Sequence, residues 1–182
     1  MNRYVFASHD PEHFATTSAL VEKHQPGDGI RAAIPLQDEA GEHTHLYAVQ
    51  GIDGDGLDGH EAALRSSGPS TTRFDMCTSP PCLEMVNQFL TVAPMSLPQV
   101  RTYAFLKVHL EADAVEGFRL PEVRSRTAGF PSDGGQRLLV QLGAEEDADI
   151  EVDLDTWRNT PGVISVRAYR AASADMVRSP HT

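Results

Sequence analysis

Polar and apolar residues alternate in short runs along this chain, and the runs are separated by segments of helical spacing. Arg3 to Ser8 sets Tyr4, Phe6 and Ser8 against Val5 and Ala7, which predicts a strand. Asp10-Pro11-Glu12 supplies a helix start, with Asp10 as cap, proline in the first turn and acid near the positive dipole end. Phe14, Ser18, Leu20 and Val21 then fall at roughly helical spacing up to His24, and Pro26-Gly27-Asp28-Gly29 stops the helix. Ile30 to Leu36 reads as a second strand. Glu42 to Gly51 is a third, with His43, His45, Tyr47 and Val49 on one face and Thr44, Leu46, Ala48 and Gln50 on the other. A loop at Asp53-Gly54-Asp55-Gly56, a short helix from Leu57 to Ser66 and a strand from Thr71 to Cys77 close the unit. The order β-α-β-β-α-β is the ferredoxin-like split unit.

The pattern restarts after a proline-rich connector with one short helix, Leu83 to Leu90. Val100 to Leu110 is a strong strand and Ala112 to Leu120 a short helix. Strands follow at Val123 to Phe130 and Arg137 to Leu142. Asp149 to Asn159 is a helix carrying Ile150, Leu154 and Trp157, stopped by Pro161-Gly162, and Val163 to Tyr169 is the last strand. The expected class is therefore α+β: two tandem ferredoxin-like units, residues 1–78 and 99–172, with a connector at 79–98 and a tail at 173–182. A four-stranded sheet with helices on one face leaves its other face bare. Two such sheets on one chain can bury those faces against each other as an intramolecular barrel.

Sorting each strand for the face that does not suit helices leaves an unusual set. The first half contributes Tyr4, Phe6 and Ser8; His43, His45, Tyr47 and Val49; and Arg73, Asp75 and Cys77. The second contributes Phe105, Lys107 and His109; Arg137, Leu139 and Gln141; and Ser165, Arg167 and Tyr169. A structural sheet-on-sheet core would be aliphatic on both sides. Aromatics mixed with His, Arg, Lys and Asp instead suit a pocket wall, and a small-molecule substrate.

Composition narrows the partners. At 182 residues the net charge of −11 opposes non-specific binding to nucleic acid or anionic membranes. No apolar run is long enough to span a bilayer, and Met1 to Phe6 enters a strand directly, so a cytoplasmic protein is expected. Cys77 and Cys82 are too few for a disulfide scaffold and read as small hydrophobes near a proline turn. The Asp53-Gly54-Asp55-Gly56 run starts like a calcium loop but has Leu64 where the twelfth-position glutamate belongs, so a solvated turn is expected. Phosphate-loop and serine-hydrolase signatures are absent. A homodimer through outer surfaces stays open.

The candidate chemistry is acid–base work without a cofactor. Two imidazoles side by side, His43 and His45, suit one base and one acid. Tyr47 is placed to hydrogen-bond an enol oxygen, with Asp75 and His109 completing the catalytic set. Arg73, Lys107 and Arg167 are placed to hold a carboxylate or stabilise an enolate, and Phe6, Phe105 and Tyr169 to line the pocket. The alternatives are a binding protein without turnover, and a metal-dependent oxygenase or cyclase holding a divalent transition metal at His43 and His45, with Asp75 or His109 as third ligand.

Tandem halves of this kind resemble the dimeric α+β barrel superfamily. The first half is most similar to its ethyl-tert-butyl-ether-degradation (EthD) and prodiginine-pathway REDY-like branches. The residues that carry the likeness are Tyr4-Val5-Phe6-Ala7-Ser8, Phe14, Glu22-Lys23-His24-Gln25-Pro26 and Leu46-Tyr47. Asn159-Thr160-Pro161-Gly162-Val163 also looks like the ligand-binding domain of Lrp/AsnC regulators. The resemblance implies a barrel around a ligand cavity and a substrate-contacting role for His24. It also implies an activity among monooxygenases, cyclases, isomerases and decarboxylases, often in antibiotic and other natural-product pathways. A lyase, cyclase or isomerase acting on an aromatic or polyketide-like metabolite is the expectation.

Overall fold

The alternating segments form strands because each pairs with a neighbour of the same period. The computed structural model describes residues 2–21, 28–69, 73–79 and 101–171. The first half runs β1 (Asn2–Ser8), α1 (Pro11–Ser18), β2 (Gly29–Asp38), β3 (His43–Gln50), α2 (Gly54–Ser67) and β4 (Arg73–Ser79). The second runs β5 (Thr102–Leu110), β6 (Arg126–Ser132), β7 (Arg137–Ala144), α3 (Asp147–Arg158) and β8 (Val163–Ala171). All eight strands join one sheet in the order β4-β1-β3-β2-β8-β5-β7-β6, with every pairing between named strands antiparallel. The two halves share a hydrogen-bonded seam where Leu36, Gln37 and Asp38 pair with Ala171, Arg170 and Tyr169. At the other end β4 packs against β6, so the sheet curls into a barrel. The fold is the expected α+β pair of ferredoxin-like units.

Three cores follow from the two faces of this sheet. Inside the barrel lie Tyr4, Phe6, Ile34, Leu36, Leu46, Ala48, Tyr103, Phe105, Leu139 and Tyr169. Outside, α1 and α2 cover Val5, Ala7, Ile30, Tyr47 and Val49 in the first half. In the second half α3 covers Leu106, Val108, Val140 and Leu142 with Ile150, Leu154 and Trp157. Much of the barrel interior is thus an aliphatic and aromatic core.

The sequence expectation fails on β3. Its His43, His45, Tyr47 and Val49 face belongs to the helix layer, and Leu46 and Ala48 point into the barrel. The β1 register enforces this, because Phe6 opposes Leu46 and Tyr4 opposes Ala48, while Val5 and Ala7 oppose Tyr47 and His45. The physical reason is hydrogen bonding. Tyr47 finds hydroxyl and imidazole partners beside α1, whereas the barrel interior at that level is filled by Phe6, Ile34 and Leu46.

Other boundaries differ for local reasons. α1 ends at Ser18 rather than His24. α2 begins at Gly54, because Asp53 caps it by accepting from Gly56 N–H at 2.9 Å. The calcium-like run is therefore a helix cap, not a free turn. The helix expected over 112–120 is only a 3₁₀ turn at Val115–Gly117, where Gly117 and Pro121 leave too little chain between them. The poorly patterned β6 is placed by the fully buried Asp153 of α3, whose carboxylate accepts from the backbone N–H groups of Arg124 and Ser125 at 2.8 and 2.7 Å. His24, the connector helix, Cys82 and the tail lie outside the described residues. Among the described residues no helix is long and apolar enough to cross a membrane.

Candidate functional site

Three adjacent strands of the second half place their inward residues in a grid. Pairing of β8, β5 and β7 sets Tyr169, Phe105 and Gln141 in one row, Arg167, Lys107 and Leu139 in the next, and Ser165, His109 and Arg137 in the third. The first row is sealed in the core. The second and third open at the strand ends into a cavity of about 230 Å³ lined by Lys107, His109, Arg137, Ser165 and Arg167, with Val108 and Leu138. His109, Arg137, Ser165 and Arg167 stand exposed at its mouth and Lys107 is half-buried below them.

Like charges opposite one another on neighbouring strands are destabilising. Lys107 nonetheless opposes Arg167 directly and lies diagonal to Arg137. Burial lowers the Lys107 amine to about 8, with Arg167 and Arg137 adding to the shift. Its Nζ lies 4.9 Å from the Phe6 ring centre and 5.8 Å from that of Tyr169, so aromatic faces supply part of the attraction that holds the cation. Phe6 and Tyr169 are themselves 5.0 Å apart.

Arg167 is tied down from the other half of the barrel. Its Nη2 donates to Asp38 Oδ2 at 3.1 Å, and its ring contact with Tyr169 is 5.4 Å. Burial of Asp38 opposes its charge. Donation from Glu42 N–H, Arg167 and Ala40 N–H outweighs that and holds the carboxyl below its usual range. One row above the cavity Gln141 is 3% exposed. Neither of its amide atoms has a hydrogen-bond partner among the described residues. Such an orphaned amide is costly unless water or a ligand reaches it.

The histidine face of β3 builds a separate cluster beneath α1. His45 is 3% exposed and stacks between His9 and Phe14, at 4.3 Å from each ring centre. Burial first, then the His9 and His43 imidazoles, lower His45 to about 3, so it is neutral at physiological pH. The Tyr47 hydroxyl bonds Thr17 Oγ1, and His9 Nε2 lies 3.2 Å from that Tyr47 hydroxyl. Burial raises the Tyr47 phenol to about 12, against a smaller opposing effect of the Thr17 bond. His43 is exposed. This arrangement is packed rather than open.

The structure therefore divides the residues singled out from the sequence. Phe6, Phe105, Lys107, His109, Arg167 and Tyr169 come together on the inner face of the barrel. His43, His45 and Tyr47 lie in the helix layer on the opposite side of the sheet. Arg73 and Asp75 sit on β4 at the register positions opposite Ser8 and Phe6. Among the described residues no three His, Cys, Asp or Glu side chains converge as a metal site would require.

Chlorite dismutase variants from Candidatus Nitrospira defluvii share this fold. One aligns over 97% of this chain and 93% of its own at 8% identity with a TM-score of 0.53. A second aligns over 97% and 92% at 7% identity with a TM-score of 0.52. The fold is that of the dimeric α+β barrels. No protein-family model matches the sequence, and no curated protein is similar to it in sequence. In this barrel, residues not singled out as site residues complete the cavity: Arg137 and Ser165 at the mouth, and Asp38 behind Arg167. Arg137 and Ser165 were already visible in the alternation of β7 and β8. Asp38 had no sequence signal, since only the seam between β2 and β8 brings it there.

Proposed function

We propose that this protein is a small enzyme that performs acid–base chemistry on a compact carboxylate bound in the inner cavity of the second half. The observation that carries this reading is the Lys107 amine, held beside Arg167 and Arg137 at the bottom of an open cavity, with the Phe6 and Tyr169 rings close to its Nζ. Arg137 and Arg167 offer guanidinium groups of the geometry that carboxylates accept. Lys107, lowered to about 8, is poised to give or take a proton near neutral pH and to stabilise an enolate oxygen as it develops. His109, in the neighbouring row, supplies an imidazole for the second proton. The side chains themselves suffice for a dehydration, isomerisation, cyclisation or decarboxylation. At about 230 Å³ the cavity is smaller than the pockets of drug-sized ligands, which favours a short acid over an extended polyketide chain.

The test is a panel of short aromatic, hydroxy and oxo acids, titrated calorimetrically and followed for turnover by mass spectrometry. Arg137→Gln should weaken binding of the preferred acid by roughly tenfold or more, whereas Arg158→Gln, at a residue that pairs with Glu39 and does not line the cavity, should not. A panel with no binder, or equal binding by both variants, overturns the reading. An acid that binds and is recovered unchanged would make the protein a carrier.

A further inference from the structure

Lysine is scarce here. Of the 15 Lys and Arg residues in the sequence only two are lysines, Lys23 and Lys107. Arginine supplies the cation in the surface ion pairs of Arg3, Arg65, Arg124, Arg158, Arg167 and Arg170. If charge were all the cavity needed, arginine would serve, because it carries the same charge and grips carboxylates better. What arginine cannot do is lose its proton and present a nucleophilic nitrogen. The one lysine described in the fold stands in the cavity, between arginines and over two aromatic rings.

We propose that Lys107 is a nucleophile that forms an imine with the carbonyl of a short oxo acid, whose carboxylate rests on Arg137 and Arg167. This rests on the cavity holding a carboxylate, as argued above, and adds the substrate class and the covalent step. The cross-strand positions fit such an acid. Arg167 is directly opposite Lys107 and Arg137 is on the diagonal, so an anion and a carbonyl a bond or two apart reach guanidinium and amine together. With the amine lowered to about 8, about one molecule in ten carries it neutral at pH 7, against roughly one in a few thousand for an ordinary lysine. A desolvated lysine beside another cation is a recognised way of activating this nucleophile.

The step balances without any redox partner. The nitrogen lone pair forms a C–N bond to the carbonyl carbon, and the carbonyl oxygen gathers two protons and leaves as water. The resulting iminium accepts the electron pair when a neighbouring C–H or C–CO₂ bond breaks. The enamine so formed takes up a proton at carbon, and hydrolysis by water returns the free amine.

Sodium borohydride reduces an imine to a stable secondary amine, so the test is to add it to the full chain at pH 8 with acetoacetate or with pyruvate. The expected result is a single adduct that peptide mapping places on Lys107, at least tenfold above any on Lys23 or the N-terminus. Lys107→Arg, which keeps the charge, should lose the adduct while calorimetry still finds the carboxylate bound. Mapping of the wild-type adduct decides the matter even if that variant does not fold. Carboxylate binding with no trapped adduct, or labelling spread evenly over Lys23 and Lys107, overturns the covalent step and leaves the acid–base reading standing. No carboxylate binding overturns both.

Discussion

His45 shows how far a residue's chemistry depends on which side of a sheet it lies. Stacked between His9 and Phe14 and almost fully covered, it is held neutral down to about pH 3 by burial and by its imidazole neighbours. In the unfolded chain it would titrate near 6.5. Between those values the unfolded state takes up a proton that the folded state does not, so stability falls as the pH is lowered. The slope from this group alone is about 1.4 kcal/mol per pH unit. His45→Phe keeps the stacking volume and removes the titration. Urea midpoints from pH 7 down to pH 4 should therefore fall less steeply in His45→Phe than in the wild type. An unchanged slope would place the acid sensitivity elsewhere. The same burial removes His45 from the position of general base that its sequence pattern suggested.

At the level of the elements, what was legible depended on how completely one periodicity settled the matter. β5 and β7 each carry a bulky aliphatic face that belongs under a helix, and β1 and β8 a smaller one, and for these four strands the inward set was read correctly. In β3 both faces were plausible. Leu46 and Ala48 suit helices as well as they suit a core, and only the β1 register assigns them inward. The helix expected over 112–120 is cut to a single 3₁₀ turn because Gly117 and Pro121 interrupt its apolar spacing. β6 is fixed by Asp153 from 28 and 29 residues away in sequence, which no local pattern reveals. The inverted β3 has a direct test. Tyr47 is bonded to Thr17 on α1, so a double-mutant cycle of Tyr47→Phe and Thr17→Val should give a coupling of about 1 kcal/mol in urea unfolding. Zero coupling would return Tyr47 to the barrel side.

For the whole molecule, the tandem architecture was legible because each half repeats the same order of strands, with a helix before the last strand of each. Which strands join the halves was not, since closure depends on sheet twist and seam register rather than on side-chain pattern. Asp38 is the product of that closure. Its side chain, 7% exposed, ties Arg167 of the second half to the turn after β2 in the first. Because its folded carboxyl lies below the unfolded value near 3.9, it stabilises the fold above about pH 4, and that contribution is lost as the pH falls through the folded value. Asp38→Asn should cost about 1–3 kcal/mol at pH 7. The gap from the wild type should narrow in thermal melts below about pH 4. A constant gap across the range would show that shape, not charge, is what matters at this position.

The cationic cavity sits in a chain whose net charge is −11, and this sets two opposing fields along the path of an arriving anion. Far from the surface the ligand is repelled by the molecule as a whole; within a few ångströms of Lys107, Arg137 and Arg167 it is drawn in. Salt acts on the two at different ranges, because the screening length falls from about 30 Å at 0.01 M to about 10 Å at 0.1 M. The outer barrier should be screened away before the inner attraction is. Stopped-flow association of a bound carboxylate should therefore quicken as salt rises through this range and slow only at higher ionic strength. Simple attraction would give a steady decline, so the shape of this curve measures how the cavity operates inside an acidic molecule.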